Sequence, residues 1–253
     1  MKNYCPPGDL LHNKLILVTG AGDGIGRQAA LSFAQHGATV ILLGRTQEKL
    51  ERVYDEIQQM QAPEAIIHPL DLALAGTQDY TQLATSIEQQ FPALDGLLHN
   101  ASILGPMTPV EFYPAEIWHK VMQTNLNSAF QLTQALLPSL RAAVSGRIVF
   151  TSSGVGHRGK AYWGAYAVSK FATEGLMQVL ADELRESSAI RVNCINPGAT
   201  RTAMRKAAFP AEDPHTLPTA ETLMPLYLYL MGQDSATVQG QSLNAREWLA
   251  SEK

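Results

Sequence analysis

The sequence has few of the features that mark several large classes of protein. It contains two cysteines, Cys5 and Cys194, which lie far apart and match no metal-binding spacing. We therefore expect reduced thiols, a cytoplasmic location and no metal site. No stretch approaches the roughly 20 consecutive apolar residues that cross a bilayer, so we expect no membrane partner. The N-terminal MKNYCPPGDL also lacks the apolar core of a secretory signal.

An excess of basic charge is also missing. The 253 residues include 19 Lys and Arg against 23 Asp and Glu, which gives a formal net charge of -4. Because nucleic-acid-binding proteins normally carry a basic patch, we expect no nucleic-acid partner. The remaining composition, 45% hydrophobic, is typical of a globular chain, and the length suits one large α/β domain or two small ones.

Short apolar runs alternate with longer amphipathic segments. Six runs lack strict alternation, as buried parallel strands do: 14–19, 38–43, 65–70, 94–99, 146–151 and 190–195. Helical patterns lie between and after them: 25–37, 47–60, 80–91, 115–142 and 164–187. With no internal linker, residues 1–253 are predicted to form a single doubly wound, Rossmann-like α/β domain. It would have a mainly parallel sheet of about seven strands and helices on both faces. Residues 1–10 and 246–253 are predicted to be loose tails.

The first predicted strand runs directly into the glycine-rich stretch TGAGDGIG, residues 19–26. Gly20, Gly24 and Gly26 fall where the strand must turn sharply and a helix must begin. Side chains there would block the turn, or the approach of a pyrophosphate to the helix N-terminus. Any tight turn can use glycines, but the position between a strand and a helix favours a nucleotide site.

The second predicted strand ends in ILLGRT, without the carboxylate that usually bonds the ribose 2′-hydroxyl of NAD. Arg45 could instead bind a 2′-phosphate through charge-assisted hydrogen bonds, which favours NADP(H) over NAD(H). A solvated arginine at a strand end is the alternative. Asp23, inside the glycine turn, is a mild argument against a nearby phosphate.

Two further strand ends carry candidate cofactor contacts. Asp71 follows the third strand, where it could accept a hydrogen bond from an adenine amino group or cap the next turn. Asn100, Ala101 and Ser102 follow the fourth strand and leave the sheet beside the glycine turn if the strand order reverses there. They would let the backbone approach a ribose, unless they form a plain turn.

Tyr166 and Lys170 lie four residues apart in a predicted helix, so their side chains can share one face. A nearby ammonium favours the phenolate and would lower the tyrosine pKa from about 10. Such a phenol can give a proton to a carbonyl oxygen or take one from an alcohol. Tyrosine and lysine are common enough in this sequence for a spacing of four residues to arise by chance. Ordinary surface side chains are therefore the alternative. Ser152 and Ser153 end the fifth strand, where a hydroxyl could stabilise an alkoxide.

The ordered set of motifs resembles the short-chain dehydrogenase/reductase family over about residues 14–245. It comprises TGxxxGIG, an NA pair after the fourth strand, a serine thirteen residues before YxxxK, and NPG after the sixth strand. Two stretches, TSSGVGHRGKAYWGAYAVSKFATEG and NCINPGATRTAM, are particularly similar to the YciK-type bacterial oxidoreductases of that family. His99 and Ser102 depart from the family's NNAG pattern.

The resemblance implies a Ser-Tyr-Lys-Asn proton relay. Tyr166 would be the proton donor and acceptor, and Lys170 would lower its pKa and hold the nicotinamide ribose. Ser153 would orient the substrate carbonyl, while Asn125 would kink its helix and hold a water. Together, the motifs and the resemblance predict these cofactor contacts: Gly20, Asp23, Gly24, Ile25, Gly26, Arg45, Asp71, Leu72, Asn100, Ala101, Ser102, Tyr166, Lys170, Pro197, Gly198, Thr200 and Thr202.

Substrate contacts are expected from the loop before Tyr166. Three side chains there could line a pocket for an apolar or aromatic carbonyl compound, or simply pack: His157, Tyr162 and Trp163. A short, Pro-rich substrate lid is implied at about residues 200–222. Basic side chains of this segment could meet an acidic substrate or the cofactor phosphates, or form a solvated face.

The expected function is NADPH-dependent reduction of a small-molecule carbonyl compound, reversible as alcohol oxidation. One alternative is a non-catalytic NADP(H)-binding sensor or scaffold on the same fold. Another is NADP-linked epimerase or dehydratase chemistry on a nucleotide-activated sugar, for which the region after the sixth strand offers little room. The resemblance also implies a homodimer or homotetramer, paired through helical segments 115–142 and 164–187, which carry apolar residues beyond what one sheet face needs.

Overall fold

The computed structural model describes residues 4–250, which contain one seven-stranded sheet. All neighbouring strands run parallel, in the order β3-β2-β1-β4-β5-β6-β7. The strands are β1 Leu15–Thr19, β2 Thr39–Gly44, β3 Ile66–Pro69, β4 Gly96–His99, β5 Arg147–Thr151, β6 Arg191–Asn196 and β7 Ser242–Asn244. The predicted doubly wound, parallel sheet is confirmed.

Helices cover both faces of this sheet. Within residues 4–250 the α-helices are α1 Gly24–Gln35, α2 Gln47–Gln59, α3 Thr77–Gln90, α4 Ala115–Met122, α5 Ser128–Ala142, α6 Gly164–Arg185, α7 Ala203–Ala208, α8 Met224–Met231 and α9 Ala245–Ala250. A π-helical turn, Gln123–Asn127, joins α4 to α5, so the predicted helical segment 115–142 is interrupted. None of the helices in this described part of the chain is both long and apolar enough to span a bilayer.

Two apolar layers, one on each face of the sheet, hold the helices in place. One layer packs α1, α2 and α8 against the sheet and includes the fully buried Val18 and Phe33. The other packs α3, α5 and α6 and includes the fully buried Leu17 and Leu136. Leu17 and Val18 are neighbours on β1 that face opposite layers, which explains why the strand is a continuous apolar run. Each such side chain contributes about 1.5–3 kcal/mol by burial.

The strand order reverses beside β1, which pairs with β2 on one side and with β4 on the other. At such a switch point the loops at the carboxyl ends of the strands separate and open a crevice. Thr19 Oγ1, at the end of β1, accepts the backbone N–H groups of Asn100 and Ala101, each at 3.0 Å. The segment after β4 is therefore tied to the glycine turn, as predicted for this NA pair.

Parts of both predicted tails are packed against the core. The Tyr4 ring contacts the rings of Tyr229 and Trp248, with centroid distances of 5.4 and 6.0 Å. Since the aromatic side chains at the two ends bury one another, the prediction of loose tails is wrong for residues 4–10 and 246–250. The remaining residues of the predicted tails lie outside the described part of the chain.

Candidate active site

Most of the predicted site residues line one cavity of about 700 Å³ at the carboxyl edge of the sheet. From the predicted catalytic set and substrate loop it is lined by Ser153, Trp163, Tyr166 and Lys170. From the predicted cofactor contacts it is also lined by Gly20, Asp23, Gly24, Ile25, Arg45, Asp71, Leu72, Asn100, Ala101, Ser102, Pro197, Gly198, Thr200 and Thr202. Gly26 and Asn125 lie behind the wall. Within residues 4–250, no three His, Cys, Asp or Glu side chains cluster as a metal site would.

The glycine turn has the backbone geometry that its sequence predicts. Gly20 and Gly24 have φ values of +67° and +53°, in the left-handed region that favours glycine. A Cβ on Gly26 would collide with the carbonyl oxygen of Gly20. Gly26 therefore allows α1 to pack closely on the turn, and it is not among the residues that line the cavity, so its cofactor contact stays a prediction.

The nucleotide end of the cavity is lined by two cations, Arg45 and Lys49, and by two carboxylates, Asp23 and Asp71. Lys49 Nζ lies 2.6 Å from Asp23 Oδ2, and this bond holds the pKa of Asp23 below its usual value. Lys49 therefore offsets the negative charge that Asp23 would present to a nearby phosphate. Arg45 lines the same cavity and forms no ion pair with any of residues 4–250.

Asp71 caps a turn and also lines the large cavity. Its Oδ1 accepts the backbone N–H of Ala73 at 3.0 Å, so it caps the turn after β3. The residue also lines the cavity, where an acceptor for an adenine amino group is predicted. The cap fixes the carboxylate in position without removing it from the cavity.

Three buried side-chain oxygens in the cavity wall lack a hydrogen-bond partner in the described chain: Ser102 Oγ, Thr124 Oγ1 and Ser152 Oγ. Buried hydroxyls are normally hydrogen-bonded, so these three indicate where a polar ligand would bind. Together with the glycine turn, the N-terminus of α1 and the cavity volume, they fit a dinucleotide cofactor.

Tyr166 and Lys170 lie one turn apart on α6, and both are buried, which excludes the surface alternative. Lys170 Nζ lies 5.6 Å from the centre of the Tyr166 ring and donates to the carbonyl oxygen of Thr151 at 2.7 Å. Ser153 lies close enough to Tyr166 to lower the pKa of the phenol by hydrogen bonding. The predicted serine, tyrosine and lysine are thus brought together.

Burial controls the ionisation of this pair. It raises the pKa of Tyr166 to about 12, while the Ser153 hydrogen bond acts in the lowering direction. Burial also lowers the pKa of Lys170 to about 8. Electrostatic interactions with Cys194 and Glu174 act in the opposite direction and raise it, but they are smaller. The predicted lowering of the tyrosine pKa below about 10 by Lys170 is not found in this structure, because the desolvation of a buried phenolate dominates.

Asn125 lies in the π-helical turn between α4 and α5, in the segment where a helix kink is predicted. Its Oδ1 accepts the backbone N–H of Ile103 at 2.8 Å, and its Nδ2 donates to the Ile103 carbonyl and to Ser169 Oγ, each at 3.0 Å. A small cavity of about 10 Å³, lined by both Asn125 and Lys170, lies behind the large one. This is close to the volume that one water requires.

The two departures from the NNAG pattern have different consequences. His99 is buried, lies 2.8 Å by its Nε2 from Thr133 Oγ1 and stacks on Phe150 with a centroid distance of 4.7 Å. Burial lowers the pKa of His99 to about 3, so the ring is neutral at physiological pH. His99 does not line the large cavity, whereas Ser102 does and adds a hydroxyl there.

Two of the three predicted substrate contacts, His157 and Tyr162, lie outside the cavity lining. His157 Nε2 lies 3.2 Å from Glu174 Oε1 and 3.1 Å from Ser242 Oγ, so the imidazole is engaged away from the cavity lining. Tyr162 has a φ of +72°, is 57% exposed and does not line the cavity. Trp163 alone of the three lines the cavity, as predicted.

The predicted lid segment contributes side chains that sequence reasoning missed. Phe209, just after α7, packs on Trp163 with ring centroids 5.9 Å apart. Lys160 Nζ lies 5.4 Å from the centre of the Phe209 ring, and Arg205 Cζ lies 3.7 Å from it. The sequence signal that could have indicated these contacts is a cation close to an aromatic residue in each segment: Lys160 near Trp163 in the loop, and Arg205 near Phe209 in the lid.

Glu174 is a second residue that sequence reasoning missed. Its carboxylate is buried, accepts a hydrogen bond from Ser242 Oγ at 2.9 Å and contacts His157. Glu174 follows Lys170 by four residues, as Lys170 follows Tyr166, so a third polar residue on one helical face was the available signal.

Comparisons with known proteins agree with this geometry. Residues 14–213 match the family model described as short chain dehydrogenase. The chain is 53% identical over 244 residues to the uncharacterized oxidoreductase YciK of Escherichia coli K12, covering 96% of each chain. A short chain dehydrogenase of Shigella flexneri complexed with NADP is 53% identical, with a TM-score of 0.92, over 95% of this chain and 100% of that one. Another, of Escherichia coli CFT073 complexed with NADPH, is 54% identical, with a TM-score of 0.92 and the same coverage.

Proposed function

Since the chain belongs to the short-chain dehydrogenase family of oxidoreductases, we propose that it catalyses reversible hydride transfer between NADP(H) and a carbonyl or alcohol substrate. The observation that carries this proposal is the convergence of Ser153, Tyr166 and Lys170 on one wall of the large cavity. The glycine turn stands on the same cavity, so a dinucleotide and a substrate would meet beside the phenol.

The charge at the nucleotide end supports NADP(H) over NAD(H). Arg45 has no ion-pair partner among residues 4–250, and Lys49 neutralises Asp23, so the Arg45 guanidinium would be available to a 2′-phosphate. Relatives about half identical to this chain were crystallised with NADP and NADPH. The N-terminus of α1 would hold the pyrophosphate, and Lys170 the nicotinamide ribose. When bound, NADPH supplies the hydride.

The residues of the chain would supply the proton and hold the substrate. Tyr166, with a pKa of about 12, is protonated at neutral pH and can give its proton to the carbonyl oxygen. The hydroxyl of Ser153 would donate a hydrogen bond to the same oxygen. The Lys170 ammonium would stabilise the phenolate left behind, and a water beside Asn125 would return the proton.

The chief alternative is a sensor that binds NADP(H) without turnover. An enzyme and a sensor can be distinguished by titrating purified protein with NADPH and then following NADPH oxidation over a panel of aldehydes, ketones and quinones. The proposed function predicts oxidation with at least one class of carbonyl compound. Tight NADPH binding with no oxidation over the whole panel would favour the sensor.

Exposed apolar side chains on α5 and α6 support a homo-oligomer. Phe130 on α5 is 48% exposed and Phe171 on α6 is 45% exposed, and Val168 and Val179 add to the same helix surface. Apolar side chains of this size on neighbouring helices fit an interface between two copies of the chain. We also propose a cytoplasmic location, which the free thiols Cys5 and Cys194 support.

A further inference from the structure

The chemical half of the large cavity is apolar and carries no carboxylate. Its wall is made of Leu104, Val155, Trp163, Met204, Ala208 and Phe209. The acidic residues in the cavity lining are Asp23 and Asp71, and both belong to the nucleotide half, at the glycine turn and after β3. A substrate beside Tyr166 would therefore meet apolar surface and no negatively charged side chain.

Lys160 provides a positive charge at this half of the cavity. Trp163 donates its backbone N–H to the carbonyl of Lys160 at 3.2 Å, so a tight turn brings the two side chains together. Lys160 Nζ lies 5.9 Å from the Trp163 ring centre and 5.4 Å from that of Phe209. It forms no ion pair with any of residues 4–250. Aromatic faces attract a cation but leave its net charge uncompensated.

Two other cations of this region are already engaged. Arg205 binds Glu212 with two hydrogen bonds, of 2.6 and 2.7 Å, which cancel its charge while its guanidinium covers Phe209. Lys170 donates to the Thr151 carbonyl and belongs to the proposed acid–base group. Lys120, on α4, lines the cavity and, like Lys160, forms no ion pair within residues 4–250. Lys160 is the one of these two that lies beside the Trp163 and Phe209 rings, where it can bind an anion of a ligand.

We infer that the substrate is a carbonyl compound with an apolar or aromatic body and an anionic group, with carboxylate as the simplest case. Lys160 binds the anion, the aromatic wall packs on the body, and the carbonyl oxygen lies at Tyr166. The carbonyl carbon gains the hydride from NADPH and its oxygen gains the proton from Tyr166, which gives a hydroxy acid anion and NADP⁺. This inference rests on the proposed function.

The test compares a matched pair of aldehydes, 4-formylbenzoate and the neutral 4-formylbenzamide, reduced with NADPH at low ionic strength. The expected kcat/KM of the wild-type protein is about tenfold higher for the benzoate, as one charge-assisted contact would give. The Lys160→Met variant loses this preference and Lys160→Glu reverses it. The matched control is Lys206→Met, which removes the same charge from α7 outside the cavity lining and keeps the preference.

A binding measurement gives a second readout without turnover. Isothermal titration of protein saturated with NADP⁺ is expected to give tighter binding of benzoate than of benzamide, with the difference lost in Lys160→Met. Three results would overturn the inference. The wild type could reduce the two aldehydes with equal kcat/KM and bind benzoate and benzamide equally. The preference for the anionic compound could survive in Lys160→Met, or it could be lost in Lys120→Met instead. Failure of the proposed function is distinct, because then neither aldehyde is reduced although NADPH binds.

Discussion

The ammonium of Lys170 lies 5.6 Å from the centre of the Tyr166 ring, yet its hydrogen bond goes to the Thr151 carbonyl, 2.7 Å away. The end of β5 therefore holds the lysine, and the phenol stays free to face the cavity. Burial leaves Tyr166 protonated, with a pKa of about 12, and brings the pKa of Lys170 down to about 8. The phenol is therefore protonated at neutral pH, as the proposed proton donor must be.

Glu174 is expected to set the pH range of carbonyl reduction through Lys170. Its negative charge raises the pKa of Lys170, and reduction needs the ammonium to stabilise the phenolate as the proton leaves Tyr166. In Glu174→Gln the pKa of Lys170 falls, so the alkaline decline of kcat/KM moves to lower pH. The control is Glu183→Gln, an exposed position on the same helix. An unchanged pH profile in Glu174→Gln would contradict the coupling.

Arg45 is expected to set the cofactor preference. The Arg45→Ala variant should bind NADPH about tenfold to a hundredfold more weakly, because charge-assisted bonds to the 2′-phosphate are lost. NADH affinity should change less than about twofold, since NADH has no phosphate there. Fluorescence titration gives both Kd values. Arg52→Ala, on the exposed face of α2, is the matched control, and equal losses for both cofactors would rule out this role for Arg45.

His99 is expected to make the folded state sensitive to acid. Its pKa is about 3 when folded against 6.5 as its ordinary value, so below pH 6.5 the unfolded chain binds the extra proton. Its contribution is fully present above pH 6.5 and is lost as the pH falls toward 3. From pH 7 to 5 the free energy of unfolding should drop about 2 kcal/mol more in the wild type than in His99→Asn. Urea titrations at pH 7 and pH 5 measure the free energy of unfolding of both proteins. An equal decrease in the wild type and in His99→Asn would contradict this role for His99.

The exposed apolar faces of α5 and α6 predict association. Phe171→Asp places a charge in the proposed interface and should dissociate the oligomer, because an unpaired buried charge is strongly unfavourable. Leu74→Asp, at another exposed apolar side chain, should leave association unchanged. Sedimentation velocity at micromolar concentration distinguishes the two. A wild-type protein that sediments only as a monomer would refute the proposed interface.

The main architecture follows from local sequence patterns. Six strands are continuous apolar runs because parallel strands are covered on both faces, and the glycine spacing is required by the turn after β1. The seventh strand, Ser242–Asn244, was not located from sequence, since three residues with two polar side chains form no apolar run. The resemblance implied a helix kink at Asn125, but neither it nor helical periodicity predicted the π-helical turn at Gln123–Asn127.

Side-chain placement around the site was harder to predict, because it depends on contacts between distant segments. His157 was expected in the cavity, but Glu174 and Ser242 hold it elsewhere. The position of Lys160 beside an aromatic wall depends on Phe209, a residue of the lid segment whose ring lies 5.4 Å from the ammonium. Neither contact leaves a periodic signal along the chain, and only the tertiary structure brings these residues together.

Tyr166 is expected to provide the proton for hydride transfer in a chain that binds NADP(H). The most direct measurement pairs the NADPH Kd with the rate of carbonyl reduction in Tyr166→Phe, which removes one hydroxyl and keeps the ring. We expect a Kd within about twofold of the wild type and a loss of kcat/KM of about 10²–10⁴-fold. Reduction at the wild-type rate by Tyr166→Phe would rule out this role for the Tyr166 hydroxyl.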